Sequence, residues 1–283
     1  MELDLEQVRR AVAAALQEDI GPGDVTSLST IPATSISRSE INARQPLIVA
    51  GIPFALETFQ QVSSDIHCAA PAQDGTSLSA GATLLKIEGP TRAILTAERV
   101  ALNFLQRLSG IATLTSQYVK AVAGTRARIL DTRKTIPGWR NFDKYAVRCG
   151  GGQNHRMGLF DMALIKDNHL AALASEQPNP VAAAVARIRQ LHPRLKVEVE
   201  ADTLEQVRHA VAAASDIILL DNMSLDQLRE AVRIVSGRAL LEASGGVTLQ
   251  TIQAIAQTGV DLISVGAITH SAPAVDIGLD FCP

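Results

Sequence analysis

Apolar positions recur at helical spacing at the start of the chain. Leu3 or Leu5, Val8, Val12 and Leu16 share one face and charged residues fill the rest, which predicts an amphipathic helix ending where Gly21, Pro22 and Gly23 forbid continuation. Residues 37–51 read as extended and 53–61 as a short helix. Turn glycines at 75, 81 and 89 then bracket short β-prone runs. A long helical pattern follows over 91–123, with an interruption expected near Ser109-Gly110. Residues 1–110 thus predict a layered α+β domain without regular alternation.

Beyond Gly124 the pattern becomes regular. Short apolar runs at 127–131, 162–166, 196–200, 217–221, 239–243 and 262–266 alternate with helical patterns beginning near Pro180, Thr203, Ser224 and Thr248. Near-continuous Val/Ile/Leu runs separated by crossover helices are the signature of parallel strands buried on both faces. Six strands in fewer than about 150 residues fall short of the roughly 250 of a full eight-fold barrel. The expected fold class is therefore α/β: an N-terminal α/β sandwich over 1–110, to which the tail 271–283 returns, and a short, incomplete parallel α/β barrel over 111–270. A doubly wound sheet is the alternative.

Each run ends in polar or glycine chemistry. Asp131-Thr132-Arg133-Lys134 follows the first, Lys166-Asp167-Asn168-His169 the second, Glu200 the third, Asp221-Asn222 the fourth, Ser244-Gly245-Gly246 the fifth and Gly266-Ala267 the sixth. One strand-end carboxylate can be a helix cap, but six polar ends in register point to a convergent site at the C-terminal face of the strands.

Charge sharpens that picture. The chain carries a formal charge of -3, yet the stretch from Asp131 to His169 holds Arg133, Lys134, Arg140, Lys144, Arg148, Arg156 and Lys166. Glycines and short apolar runs break these cations up, so they cannot all lie on one solvated helix face, and several are expected to converge on a small anion. Aromatic residues are only 3% of the chain, against the stacking platforms of nucleic-acid binding, and the acidic remainder would repel a polyanion. With 47% apolar and 19% charged residues, the composition is that of a folded globular protein. Cys68, Cys149 and Cys282 are odd in number and lack CxxC spacing. They argue against a disulfide framework or zinc site and for a reducing, cytoplasmic setting, with Cys149 read as a small buried residue. No run reaches the ~18 apolar residues of a membrane span, and the N-terminus lacks the apolar core of a signal peptide.

Read physically, the candidate site combines Arg99, Arg133, Lys134, Arg156 and Lys166 with His155, the carboxylates Glu200 and Asp221, and glycine-rich cradles at 244–246 and 265–267. Arginine's planar fork matches carboxylate or phosphate in bidentate fashion, so the ligand should carry several negative charges. A phosphorylated sugar beside a polycarboxylate fits this set.

The blocks TRKTIPGWR, KYAVRCGGGQNHRMGLFDMALIKDNH, EVE, LLDNMS, SGG and VGAITHS together resemble the quinolinate phosphoribosyltransferase family, and the likeness runs from EDIGPGDVTS almost to DIGLDF. The resemblance implies a decarboxylating pentosyltransferase of NAD biosynthesis. Quinolinate and phosphoribosyl pyrophosphate would give nicotinate mononucleotide, pyrophosphate and carbon dioxide. Mg²⁺ would arrive on the pyrophosphate, near Glu200 and Asp221, without an assigned protein ligand. It implies a homodimer in which Arg99 reaches the partner's site. Arg99, Arg133, His155, Arg156 and Lys166 would hold the quinolinate carboxylates, Thr132 would be a further substrate-binding residue, and Lys134 would lie between the two substrates. Glu200 and Asp221 would face the ribose, and Ser244, Gly245 and Gly246 with Val265, Gly266 and Ala267 would cradle the 5′-phosphate. Two other readings stay open from the residues alone: transfer to a related acceptor such as nicotinate, and a non-catalytic sensor of phosphorylated ligands.

Overall fold

The computed structural model describes residues 3–282. Their contacts gather into two units, one made of residues up to 116, 136–151 and from 271 onward, the other of 117–135 and 152–270.

The first unit contains α1 (Leu5–Ile20), α2 (Val25–Thr30), α3 (Ile52–Val62), α4 (Thr91–Ala121) and α5 (Arg140–Cys149). Its main sheet has the order β12-β1-β5-β3, formed by β1 (Ile36–Ala43), β3 (His67–Ala69), β5 (Thr83–Pro90) and β12 (Ile277–Phe281). β2 (Leu47–Ile48) and β4 (Ser77–Leu78) pair separately. The C-terminal strand runs antiparallel to β1, from Ser39 opposite Phe281 to Ala43 opposite Ile277. Ile41, Leu85, Ile87 and Ile277 of the sheet bury their side chains against Phe59 of α3 and Ile94, Leu102 and Leu105 of α4, each burial worth about 1.5–3 kcal/mol.

Two features of this unit differ from the sequence expectation. α4 runs unbroken through Ser109-Gly110. Ser109, fully buried, uses its hydroxyl to bond both N–H and C=O of Ala50. A Cβ on Gly110 would come within 2.1 Å of the Pro273 carbonyl oxygen. The glycine thus admits a close backbone approach, and no break is needed to explain it. Secondly, the segment 136–151 clusters with this unit and not with the barrel. Trp139 stacks on Phe104 at 5.3 Å, and Phe142 meets Phe54 edge-on at 4.9 Å. The sealed Asp143 carboxylate takes a 2.9 Å bond from Arg107. Cys149 is a partly buried free thiol, pushed up to about 12 by burial and so away from the thiolate form.

The second unit is built from β6 (Arg128–Leu130), β7 (Ala163–Ile165), α6 (Asp167–Ala172), α7 (Pro180–Leu191), β8 (Val197–Ala201), α8 (Leu204–Ala212), β9 (Ile217–Asp221), α9 (Leu225–Val235), β10 (Leu240–Ser244), α10 (Ile252–Ala256), β11 (Leu262–Ser264) and α11 (Ala267–His270). The helices start where local chemistry satisfies their first N–H groups: Asn179 caps α7, and Thr203 with Gln206 and Ser224 with Gln227 form capping boxes on α8 and α9.

All six strands are parallel, in the order β6-β11-β10-β9-β8-β7. From β7 to β11 each strand lies beside its predecessor, and β6 returns beside β11, so the order is cyclic with one open seam between β6 and β7. A doubly wound sheet would reverse direction midway, and the incomplete barrel is therefore the architecture. The seam falls where the connecting chain, 136–151, leaves the unit. Gln153 partly closes the exposed edge of β6, donating to Ile129 C=O at 2.8 Å and accepting from Asp131 N–H at 3.1 Å. Among the described residues no helix is long and apolar enough to cross a membrane.

Candidate active site

The C-terminal ends of the six barrel strands open onto a cleft of about 620 Å³. Thr132, Arg133 and Lys134 reach it from the end of β6, and His155 and Arg156 from the loop before β7. Lys166 follows β7, Glu200 stands on β8, Asp221 and Asn222 end β9, Ser244, Gly245 and Gly246 end β10, and Ser264 ends β11. The parallel register places Glu200 and Leu219 side by side and Asp221 beside Ser244. Side chains far apart in sequence therefore converge without a long loop.

Local bonds set each group. Asp131, with no exposed surface, accepts Asn154 Nδ2 at 2.6 Å and the His155 N–H at 2.8 Å, holding the NHR segment against the end of β6. Thr269 Oγ1 donates to the Lys134 carbonyl at 2.8 Å. A Cβ on Gly266 would stand 3.1 Å from Lys134 Cδ, so glycine leaves room for that side chain. At the end of β9, Asn222 takes a left-handed φ of 52°, and its Nδ2 donates to the Asp221 carboxylate at 2.7 Å. Gly245 lies so close beneath it that a Cβ would meet Asn222 Oδ1 at 2.1 Å. Strain of this kind, about 1–3 kcal/mol, is tolerated where a site over-determines it.

The electrostatics suit an anion. The Nε atoms of Arg133 and Arg156 are buried and have no hydrogen-bond partner among the described residues. Burial, then the neighbouring Arg133 charge, lowers the Arg156 pKa. Orphaned guanidinium donors in a concave site call for a carboxylate or phosphate. Lys166 Nζ pairs with Glu200 at 3.2 Å, its side chain half exposed.

Below this rim lie two carboxylates that the sequence reading missed, Glu198 of β8 and Glu242 of β10, neither with any exposed surface. His155 Nε2 stands 3.0 Å from Glu198 and 3.6 Å from Glu242, while His155 Nδ1 accepts the Arg156 N–H at 2.8 Å. Burial pushes the Glu198 carboxyl up to about 7. Burial, reinforced by the Glu198 charge, pushes Glu242 up to about 8. Ligand atoms of these three residues lie within 4.8 Å of one another, close enough to share a proton or a cation. The available signal was an acidic residue at an interior position of an apolar run, in VEVE and LLEA.

Eleven of the expected site residues line the cleft: Thr132, Arg133, Lys134, His155, Arg156, Lys166, Glu200, Asp221, Ser244, Gly245 and Gly246. Val265 is buried and donates its N–H to Leu130, Gly266 backs Lys134, and Ala267 opens α11. Arg99 stands exposed on α4 of the first unit. Of the charged cluster, Arg140, Lys144 and Arg148 belong to α5, where Lys144 is fully buried.

Residues 24–109 match the family model for the quinolinate phosphoribosyl transferase N-terminal domain, and residues 111–280 match that for its C-terminal domain. A nicotinate-nucleotide pyrophosphorylase [carboxylating] from Mycobacterium leprae (strain TN) is 44% identical, with 98% of each chain covered. A probable enzyme of the same name from Bacillus subtilis (strain 168) is 41% identical, covering 97% of this chain and 93% of its own. The structure of the nicotinate-nucleotide pyrophosphorylase from Francisella tularensis superposes with a TM-score of 0.94 at 41% identity, covering 99% of this chain and 98% of that one. With both family models matched almost end to end on a short barrel whose strand ends carry cations, carboxylates and glycine turns, the chain belongs to the quinolinate phosphoribosyltransferase family.

Proposed function

We propose that the protein transfers the phosphoribosyl group of phosphoribosyl pyrophosphate to quinolinate with decarboxylation, giving nicotinate mononucleotide, pyrophosphate and carbon dioxide, a step of NAD biosynthesis. The observation that carries this is the convergence of Arg133, Lys134, Arg156 and Lys166 with Glu200 and Asp221 at one end of the barrel. Four cations suit a dicarboxylate beside a pyrophosphate, and two carboxylates suit a sugar that becomes cationic during transfer.

In this reading Arg133, Arg156 and Lys166, with Thr132 and His155 in the same wall, receive the two quinolinate carboxylates, and the unmet Nε donors of the arginines are satisfied there. The glycine turn at 244–246 and the start of α11 at 265–267 receive the 5′-phosphate through backbone N–H groups. Mg²⁺ enters with the pyrophosphate as part of the substrate. As the bond from C1 of the ribose to pyrophosphate breaks, Glu200 and Asp221, the latter held by Asn222, stabilise the positive charge. The pyridine nitrogen then forms the new bond from the opposite face, and Lys134 offsets charge between the reacting groups. The bond from C2 to its carboxylate breaks next; its electron pair stays at C2, stabilised by the quaternised nitrogen, and C2 takes up a proton. A homodimer with Arg99 completing the partner's cleft, and a cytoplasmic location, fit the exposed position of that arginine and the thiol content.

The direct test is release of labelled carbon dioxide from the 2-carboxylate of quinolinate, with and without phosphoribosyl pyrophosphate and Mg²⁺, and with nicotinate as a parallel acceptor. Release requiring both additions is expected. Nucleotide formed from nicotinate without release from quinolinate would overturn the substrate.

A further inference from the structure

The floor of the cleft holds two carboxylates for which the proposed chemistry has no use. Glu198 and Glu242 are fully buried, and no aligned hydrogen bond satisfies any of their four oxygens among the described residues, although His155 Nε2 stands within 3.0 Å of one. Two ionised carboxylates at such close range, out of contact with water, repel each other with little screening. The charged and polar groups facing Glu198 are His155, Glu242, Arg156, Glu200 and Lys166; those facing Glu242 are Glu198, His155 and the Ser264 hydroxyl. The cations among them are turned toward the cleft that anionic substrates occupy.

We propose that Glu198 and Glu242 share one proton at neutral pH and that the pair is a positioning device: it holds His155 as the Nε2–H tautomer and so sets Arg156 for the dianionic substrate. The ring's other nitrogen decides the tautomer. Nδ1 accepts the backbone N–H of Arg156 at 2.8 Å, so the ring proton of a neutral imidazole sits on Nε2, facing the two carboxyls. With Asp131 bonded to its backbone N–H, His155 is held from three directions. Arg156, next in sequence, is held in turn by the ring and by the Met162 carbonyl at 3.1 Å. The raised carboxyl pKa values agree with one shared proton. When pH rises and that proton leaves, a second negative charge appears beneath the site of a dianion, and affinity for the dianion falls. The inference rests on the proposed function only for the identity of that dianion.

The test compares wild type with the double variant Glu198→Gln, Glu242→Gln, which keeps the shape and donors but has no carboxyl left at the floor to ionise. In wild type, KM for quinolinate should rise about tenfold between about pH 6.5 and about pH 9, the change expected from losing one pK unit's worth of favourable interaction. In the variant the rise should stay within about twofold over the same range, because no carboxyl remains at the floor to lose a proton. Infrared spectra of the substrate-free protein should show the C=O stretch of a protonated carboxyl at neutral pH, absent from the double variant. An equal KM slope in both proteins overturns the proposal. So does a missing carboxyl band in a wild-type enzyme that turns over normally, or a stoichiometric divalent cation in wild type that disappears in the variant. A band that is present in a protein inert toward quinolinate would leave the shared proton standing and reject the proposed substrate instead.

Discussion

Glu198 and Glu200 stand two residues apart on β8 and face the same interior, yet one lies at the floor of the cleft and the other at its mouth. Glu200 keeps some contact with solvent and pairs with the Lys166 ammonium at 3.2 Å, at the mouth where a sugar would sit. Glu198, one layer deeper, has no exposed surface and shares its space with Glu242, so burial favours its neutral form. The same side chain on the same face has a cationic partner at one depth and a second carboxyl at the next. Depth in the barrel, which decides how much water remains, sets the role.

Changes at the mouth should have the largest effects. Lys134→Ala should lower kcat by about 100-fold or more while moving KM for quinolinate far less, since a charge between the reacting groups acts on the transition state. Steady-state kinetics with both substrates varied would show this, and an unchanged turnover number would remove Lys134 from its role. Next in size, Asp221→Asn should reduce kcat by roughly 10- to 100-fold, because the isosteric amide keeps the geometry but no longer stabilises a developing cation. A loss confined to KM would instead make Asp221 a binding group. Arg133→Lys retains the charge but loses the planar fork, and should raise KM for quinolinate about tenfold, equivalent to about 1.4 kcal/mol. Calorimetric titration with quinolinate alone that finds wild-type affinity would rule out a bidentate contact.

The smallest effect is expected at the floor, on stability. In the unfolded chain Glu198 and Glu242 titrate near the usual 4.5, whereas in the fold they are raised to about 7 and about 8. Between those limits the folded state binds more protons than the unfolded one, so stability falls as pH rises. The contribution is complete below 4.5 and lost as pH passes through the folded values. Melting temperature should therefore decline from about pH 5 to about pH 8.5 more steeply in wild type than in the double variant Glu198→Gln, Glu242→Gln. Parallel declines would mean that the pair is ionised in the fold, and the contrast between floor and mouth would disappear.

Much of this arrangement is local and was therefore open to reading from the chain alone. A run such as IILLD makes a buried parallel strand because every position must tolerate an apolar neighbour, and Asn179, Thr203 and Ser224 start helices because their side chains reach N–H groups only two or three residues ahead. The polar strand ends, and with them most of the cleft, follow from the same short-range grammar. Tertiary structure decided what depends on partners dozens of residues away. Gly110 is a point of close approach, and no break, because Pro273 lies against it. The segment 136–151 joins the first unit through Phe54, Phe104 and Arg107. Asn222 adopts its left-handed backbone above a glycine supplied by the next strand. Glu198 and Glu242 become an acid pair only because parallel strands on either side of β9 bring their carboxyls close together out of contact with water, where desolvation outweighs the ordinary preference of a carboxylate for charge.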